Sequence, residues 1–380
     1  MRKKIWIHAV SVGEVNAALD LIRRLVSNNY RVFLSTTTVT GQQVARSAAG
    51  TSVTLLYFPF DFKLVCRAFL RKINPDVIAL METEIWPNFL EVAMRERIPV
   101  IFINGRISDN SFKNYLRISS LIKPLFNRIT FMCMQSDTDA ARIREIGAPE
   151  KILRVTGNMK FDYSLEIPAE KRRLQNQVGS LLLPGRGSQL WICGSTKPNE
   201  EELISSIYIN LKEEFPGLSL LIAPRHPHRG EEVEEIFRSS GFSTRRRSLI
   251  DLNATALNKG CDVLVLDSVG ELAYLYEIAD LVFMGGSLVP TGGQNVIEPA
   301  FFGKPILFGP SMTNFREIAE IFTSRKAAVQ VQSLQELEIQ VRKLLPDEAE
   351  RLALGENARQ VLENNRGAVE RNLEIIKLID

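Results

Sequence analysis

Short β-branched apolar runs alternate with longer stretches of helical period along almost the whole chain, and no other feature restricts its possible folds so strongly. In the first half the runs fall at 5–10, 31–37, 53–59, 77–81, 100–104, 131–135 and 153–157. Between the first two, Ala18, Leu21, Ile22 and Leu25 share one face of a helix predicted over 15–25. Each run is apolar nearly throughout, as strands are when helices cover both faces of a parallel sheet. The prediction is a doubly wound α/β domain over 1–163. The pattern breaks over 164–189, where a charged helix-like piece followed by Leu181-Leu182-Leu183-Pro184-Gly185-Arg186-Gly187-Ser188 reads as a linker. A second βα series occupies 190–346, with strands predicted at 190–193, 218–223, 263–266, 281–284 and 306–308. The tail, 347–380, reads as two helices, 348–363 and 368–378.

Composition narrows the function classes. With 380 residues, the chain has room for about two domains. Its formal net charge of +3 argues against a dedicated nucleic-acid coat. Cys66, Cys133, Cys193 and Cys261 lie far apart and form no CxxC pair, which suits a reducing compartment. Three histidines, His8, His226 and His228, are too few for a histidine-rich metal site. No signal-peptide pattern or uncharged membrane-spanning run occurs, so a cytosolic protein, or one that meets a membrane from the side, is expected.

Two doubly wound domains are expected to bind ligands beyond the carboxyl ends of their strands, at the switch points facing a central cleft. The loops there lack GxGxxG, a P-loop and the GxSxG elbow. The first strand instead runs into Ser11-Val12-Gly13-Glu14. Glu14 either complements the dipole of the following helix or serves as a general base. Met81-Glu82-Thr83-Glu84-Ile85-Trp86-Pro87 places paired carboxylates after a buried strand, costly unless they are paired or used. Gly157-Asn158-Met159-Lys160-Phe161-Asp162 adds a cation, Lys160, which by itself reads as a solvated lysine. Asp137-Thr138-Asp139 looks like a metal-binding DxD but opens a helix, where capping explains it better.

The second series is richer. Gly194-Ser195-Thr196 forms a turn suited to an anion, and Pro224-Arg225-His226-Pro227-His228-Arg229 supplies fixed charge for a phosphate or carboxylate. Asp267-Ser268-Val269-Gly270-Glu271 ends another strand. Gly285-Gly286-Ser287 and Gly292-Gly293-Gln294-Asn295-Val296-Ile297-Glu298-Pro299 form a glycine-rich loop whose amides are expected to cradle phosphate, with Glu298 on ribose hydroxyls.

Together, the segments His8-Ala9-Val10-Ser11-Val12-Gly13-Glu14, Met81 to Asn88, Gly157 to Asp162, Pro224 to Pro227 and Gly293 to Pro299 resemble the Kdo transferases, which attach 3-deoxy-D-manno-octulosonic acid to lipid A precursors. The resemblance covers nearly the whole chain. It implies a GT-B fold and a metal-independent, inverting transfer from CMP-Kdo, with no cofactor. It implies Glu14 as base, Glu84 (with Glu82 the lesser choice) as the acidic strand end, and Lys160 as the basic one. The implied CMP contacts are Pro224, Arg225, Ser268, Val269, Gly270, Asn295, Val296, Ile297 and Glu298. It further implies tail helices that pack back on the first domain, a lipid A precursor as acceptor, and work at the cytoplasmic face of a bacterial inner membrane. Family members carry an apolar anchor ahead of the first strand, whereas this sequence opens Met1-Arg2-Lys3-Lys4-Ile5. Attachment to the membrane surface is expected, either peripheral through basic residues on anionic lipid or through an anchoring segment absent from this sequence. A UDP-sugar transferase or 2-epimerase would share the Glu-Pro loop but not the Ser-Val-Gly-Glu and Glu-Thr-Glu-Ile-Trp-Pro strand ends. A non-catalytic nucleotide-sugar binding module could dispense with Glu14 and Lys160.

Overall fold

The computed structural model describes residues 2–183, 185, 187–250 and 260–379. The chain divides into two compact units, residues 1–163 with 365–380, and residues 164–364. In the first unit, β1 (Lys4–His8), β2 (Arg31–Thr36), β3 (Val53–Tyr57), β4 (Val77–Met81), β5 (Val100–Gly105), β6 (Phe131–Met134) and β7 (Leu153–Val155) form one parallel sheet. Its order is β3-β2-β1-β4-β5-β6-β7, so the direction of winding reverses between β1 and β4. Side-chain alternation sends Trp6, Leu80 and Phe102 into one buried layer, and Ile5, Ile7, Ala79 and Met81 into the other. The helix after β1 spans Val12–Ser27, starting earlier than its apolar period suggests. Ser11 explains the early start, because its hydroxyl accepts the Glu14 N–H and caps the first turn.

The second unit repeats the plan with β8 (Gln189–Thr196), β9 (Leu218–Pro224), β10 (Thr244–Arg246), β11 (Val263–Val265), β12 (Leu281–Met284), β13 (Ile306–Phe308) and β14 (Val329–Gln330). The order β10-β11-β9-β8-β12-β13-β14 again reverses beside its first strand. The edge strands β10 and β14 carry no apolar run in the sequence, because one is polar and the other only two residues long.

The boundaries differ from expectation in two places. The helix-like piece in 164–189 is the helix Ala169–Leu182, but it belongs to the second unit and does not act as a linker, burying Leu174, Val178, Leu181 and Leu182. Gln175 fastens that helix by donating to the Tyr274 carbonyl at 2.6 Å. Of the two tail helices, Glu348–Asn365 falls in the second unit apart from its last residue. Its Gly355 lies so close to the Gly303 carbonyl that no Cβ fits between them. Only Ala368–Ile379 packs on the first unit, burying Ala368, Val369, Leu373 and Ile376 beside Ile5 and Leu21. Among the described residues, no helix is long and apolar enough to cross a membrane.

Candidate active site

In the first unit the switch point gathers the acidic residues. Glu14 is only 7% exposed. Its carboxylate accepts the Val10 N–H at 2.8 Å and the Ser11 hydroxyl at 2.9 Å, so the side chain folds back over the end of β1. Burial, aided by the charges of Glu82 and Glu84 and opposed by those two hydrogen bonds, raises its pKa to about 7. The group therefore titrates in the range where a general base works best. Both readings of Glu14 thus meet in one place, a first-turn carboxylate that is also a tuned one.

After β4 the backbone at Glu82 adopts a left-handed φ of 54°. Glu82 is paired with Arg106 at 2.9 Å, and the Thr83 hydroxyl donates to the Arg106 carbonyl, locking the β4 and β5 ends together. Glu84 has no such cation among the described residues, and burial followed by the charge of Glu82 raises its pKa. Tyr115 lies within electrostatic reach of Glu84, and Arg106 within reach of Glu14 and Asp139. Neither Arg106 nor Tyr115 belongs to a motif singled out from the sequence. The position of Arg106 just after a strand was a usable signal; Tyr115 reads only as one of the half-buried core-packing residues of its helix, with Phe112 and Leu116. Ser136 caps the helix that Asp137-Thr138-Asp139 opens: its hydroxyl accepts the Asp139 N–H at 3.1 Å, while the Asp139 carboxylate takes the Ile107 N–H at 2.8 Å.

Lys160 sits in a 3-10 turn, Met159–Asp162, beyond β7. Its N–H donates to Asn158 Oδ1 at 3.0 Å. Asp162, from the same motif, has a structural part: it accepts the Gly367 and Val369 N–H groups at 2.5 and 2.6 Å, capping the C-terminal helix.

In the second unit the structure corrects the expected phosphate cradle. Glu200 is fully buried and accepts the N–H groups of Gly286, Ser287 and Leu288 at 2.6, 3.0 and 2.9 Å. Gly292 N–H goes to the Ser311 hydroxyl and Gly293 N–H to the Gly286 carbonyl. The loop's amides are thus largely consumed by its own folding. Gly194-Ser195-Thr196 is likewise no open anion turn: the following Lys197 N–H goes to Glu200, and the Thr196 hydroxyl to Glu201. Glu201 also receives Arg229 at 2.8 Å, so the last cation of the Pro224 to Arg229 segment is spent on structure. Val296 and Ile297 are fully buried and belong to the core, while Asn295 Oδ1 accepts the Ile297 N–H at 3.2 Å.

The residues left facing outward define a smaller patch. Pro224 ends β9, and the exposed Arg225 follows it. Arg225 lies within electrostatic reach of Glu298, whose pKa burial raises to about 7, with Arg225 pulling it down. Lys197, Arg225, His228 and Arg229 surround His226, whose pKa falls through burial and then through those charges. Val269 is 84% exposed, Gly270 has a left-handed φ of 76°, and the Ser268 hydroxyl donates to Glu271. Among the described residues no group of three or more His, Cys, Asp or Glu side chains is arranged to hold a metal ion.

Two Rossmann-like units of this topology make up the GT-B fold. A glycosyltransferase from Rickettsia africae superposes with a TM-score of 0.64 at 14% identity, covering 100% of this chain and 98% of that one. A UDP-GlcNAc 2-epimerase from Neisseria meningitidis gives 0.64 at 13% identity, with 98% and 99% covered. At such identities these likenesses speak for the fold alone. The family model for 3-deoxy-D-manno-octulosonic-acid transferase matches residues 1–163. The 3-deoxy-D-manno-octulosonic acid transferase of Haemophilus influenzae is 34% identical, over 98% of this chain and 86% of its own. The chain belongs to the Kdo transferase family.

Proposed function

We propose that this enzyme transfers Kdo from CMP-Kdo to a hydroxyl of a lipid A precursor, lipid IVA, in lipopolysaccharide biosynthesis, with inversion and without a metal. The observation that carries the reading is Glu14: a buried carboxylate at the switch point, with its pKa raised to about 7 by burial and by two neighbouring carboxylates. A sugar hydroxyl is a weak nucleophile until its proton is taken. Glu14 removes that proton as the oxygen attacks the anomeric carbon from the face opposite the leaving group. The bond from that carbon to the CMP phosphate breaks, and CMP departs with the electron pair. Arg225 meets the phosphate charge, as a guanidinium in fixed position does for a departing anion. Ser268, Val269, Gly270 and Asn295, with the half-buried Glu298 beside them, are the groups available to the nucleotide. Glu84 and Lys160 complete the acceptor side, and Glu82, already held by Arg106, serves as their support.

Contact with the cytoplasmic face of the inner membrane fits the segment after β3, where Phe60 and Leu64 are each 80% exposed and Phe62 67%. Apolar side chains displayed in this way suit acyl chains or a bilayer surface. The basic residues near the start contribute less than their number suggests, because Arg24 is paired with Asp20 and Glu370.

The deciding experiment is incubation with CMP-Kdo and tetra-acylated lipid A precursor, with products resolved by mass. Addition of Kdo supports the reading; transfer from a UDP-sugar in its place, or no transfer at all, overturns it.

A further inference from the structure

We propose that Asn104 is a positioning residue for the reaction, setting Lys160 in place relative to the carboxylates; the inference rests on the reading of Lys160 as part of the acceptor side. Asn104 lies at the end of β5, is fully buried, and has a left-handed φ of 54°. Its Oδ1 accepts the Met159 N–H at 2.8 Å, one residue from Lys160. Its own carbonyl accepts Gln135 Nε2 at 2.9 Å, which fixes it to the β6 side of the sheet. Two residues further on, Arg106 holds Glu82 at 2.9 Å. One short segment therefore joins the charged β4 end to the turn that carries the lysine.

Local stability argues against an asparagine here. A glycine would adopt this backbone without strain. Asn104 Nδ2 is also a buried donor with no hydrogen-bond partner among the described residues, a burden that glycine would remove. What glycine cannot supply is the Oδ1 acceptor. Asparagine tolerates this backbone better than other residues that carry a side chain, and its Oδ1 acceptor offsets the unmet donor by ordering the Lys160 turn. The turn is held from its other side as well: Arg371 Nε donates to the Thr156 carbonyl at 2.7 Å, and Asp162 caps the helix that bears Arg371. A lysine on a long flexible stem gains its placement from its backbone, so a turn pinned on both sides sets where the ammonium can reach.

The test is a double-mutant cycle on the full chain, with kcat and KM for CMP-Kdo measured for wild type, Asn104→Gly, Lys160→Ala and the double variant. Each protein is assayed below its own melting midpoint. Asn104→Gly is expected to lower kcat about tenfold or more, since small misplacements of reacting groups cost that much, with KM for CMP-Kdo within about threefold of wild type. In the Lys160→Ala background the same change is expected to cost less than about twofold, because its effect runs through a side chain no longer present. An equal loss in both backgrounds would overturn the role of Asn104 and leave Lys160 in the site. Wild-type turnover by Lys160→Ala would remove Lys160 from the reaction and this inference with it. Absence of Kdo transfer by the wild type would sink the functional reading before any variant is made. If the glycine form does not fold, Asn104→Ser, whose hydroxyl is too short to reach Met159, enters the same cycle with the same expected outcomes.

Discussion

In the proposed reaction Glu14 serves as base at a cost to stability. Its folded pKa, raised to about 7 by burial, lies above the ordinary 4.5. The stability it contributes is therefore fully present below about 4.5 and is lost as pH rises through about 7. Glu14→Gln should melt above wild type at pH 8, and the gap should close towards pH 4.5; a constant gap across that range would mean the carboxyl is not perturbed. The same variant should lose at least about 10²-fold in turnover, the lower end for a general base, with CMP affinity held within a few-fold. Wild-type kcat should rise with pH through a midpoint near 7, because the base must be ionised. A flat profile, or near-normal turnover in Glu14→Gln, would move the base to Glu84. On the donor side, Arg225 and Glu298 lie within electrostatic reach of one another. Arg225→Ala and Glu298→Ala should each weaken CMP binding more than tenfold, about 1.4 kcal/mol or more. Calorimetric titration that returns wild-type affinity for both would take the donor away from this patch.

Among the elements, the glycine-rich loop of the second unit is the most informative. Its glycines are legible in the sequence, yet the partners of its amides are not, because Glu200 lies on a different βα unit and reads as one of a run of helix-start glutamates. A carboxylate with four backbone N–H partners in a buried site behaves as part of the loop. Glu200→Ala should therefore destabilise the second unit by on the order of 3 kcal/mol, since several buried donors lose their acceptor together. It should also weaken CMP binding by loosening the Asn295 and Glu298 segment. A thermal melt and a titration on the same preparation check both effects, and an unchanged melt would show that the amides find other acceptors. The C-terminal helix Ala368–Ile379 is the corresponding element of the first unit. Removing it takes away Val369, Leu373 and Ile376, each worth about 1.5–3 kcal/mol when buried, and exposes the Ile5 and Leu21 face they cover. A chain ending at residue 364 should therefore melt well below the full chain or aggregate; a normal melt would make the helix an accessory.

At the scale of the molecule, the exposed Phe60, Phe62 and Leu64 lead to a prediction about membranes. Binding to anionic vesicles should fall with added salt, as exposed basic residues gain about 1 kcal/mol each near such a surface. It should fall further in Phe60→Ser with Leu64→Ser, and co-sedimentation unaffected by either change would sink the reading. Much of this protein is legible in its amino-acid sequence. Apolar runs with helical periods between them specify strands buried on both faces, and strand-end residues such as Glu14, Glu84 and Arg225 announce themselves because charge is expensive there. Periodicity is a local property, so it carries those features in the order of the chain. It does not tell that the helix Ala169–Leu182 joins the second unit, that the tail splits between units, or that Asp162 caps a helix 205 residues away. Nor does it tell that Glu200 fills the loop expected to hold phosphate, or that Arg106 pairs with Glu82, while Glu84 has no such cation among the described residues. Those outcomes depend on which groups distant in sequence become neighbours, and pairing, burial and the resulting pKa shifts exist only once tertiary contact has excluded water from between them.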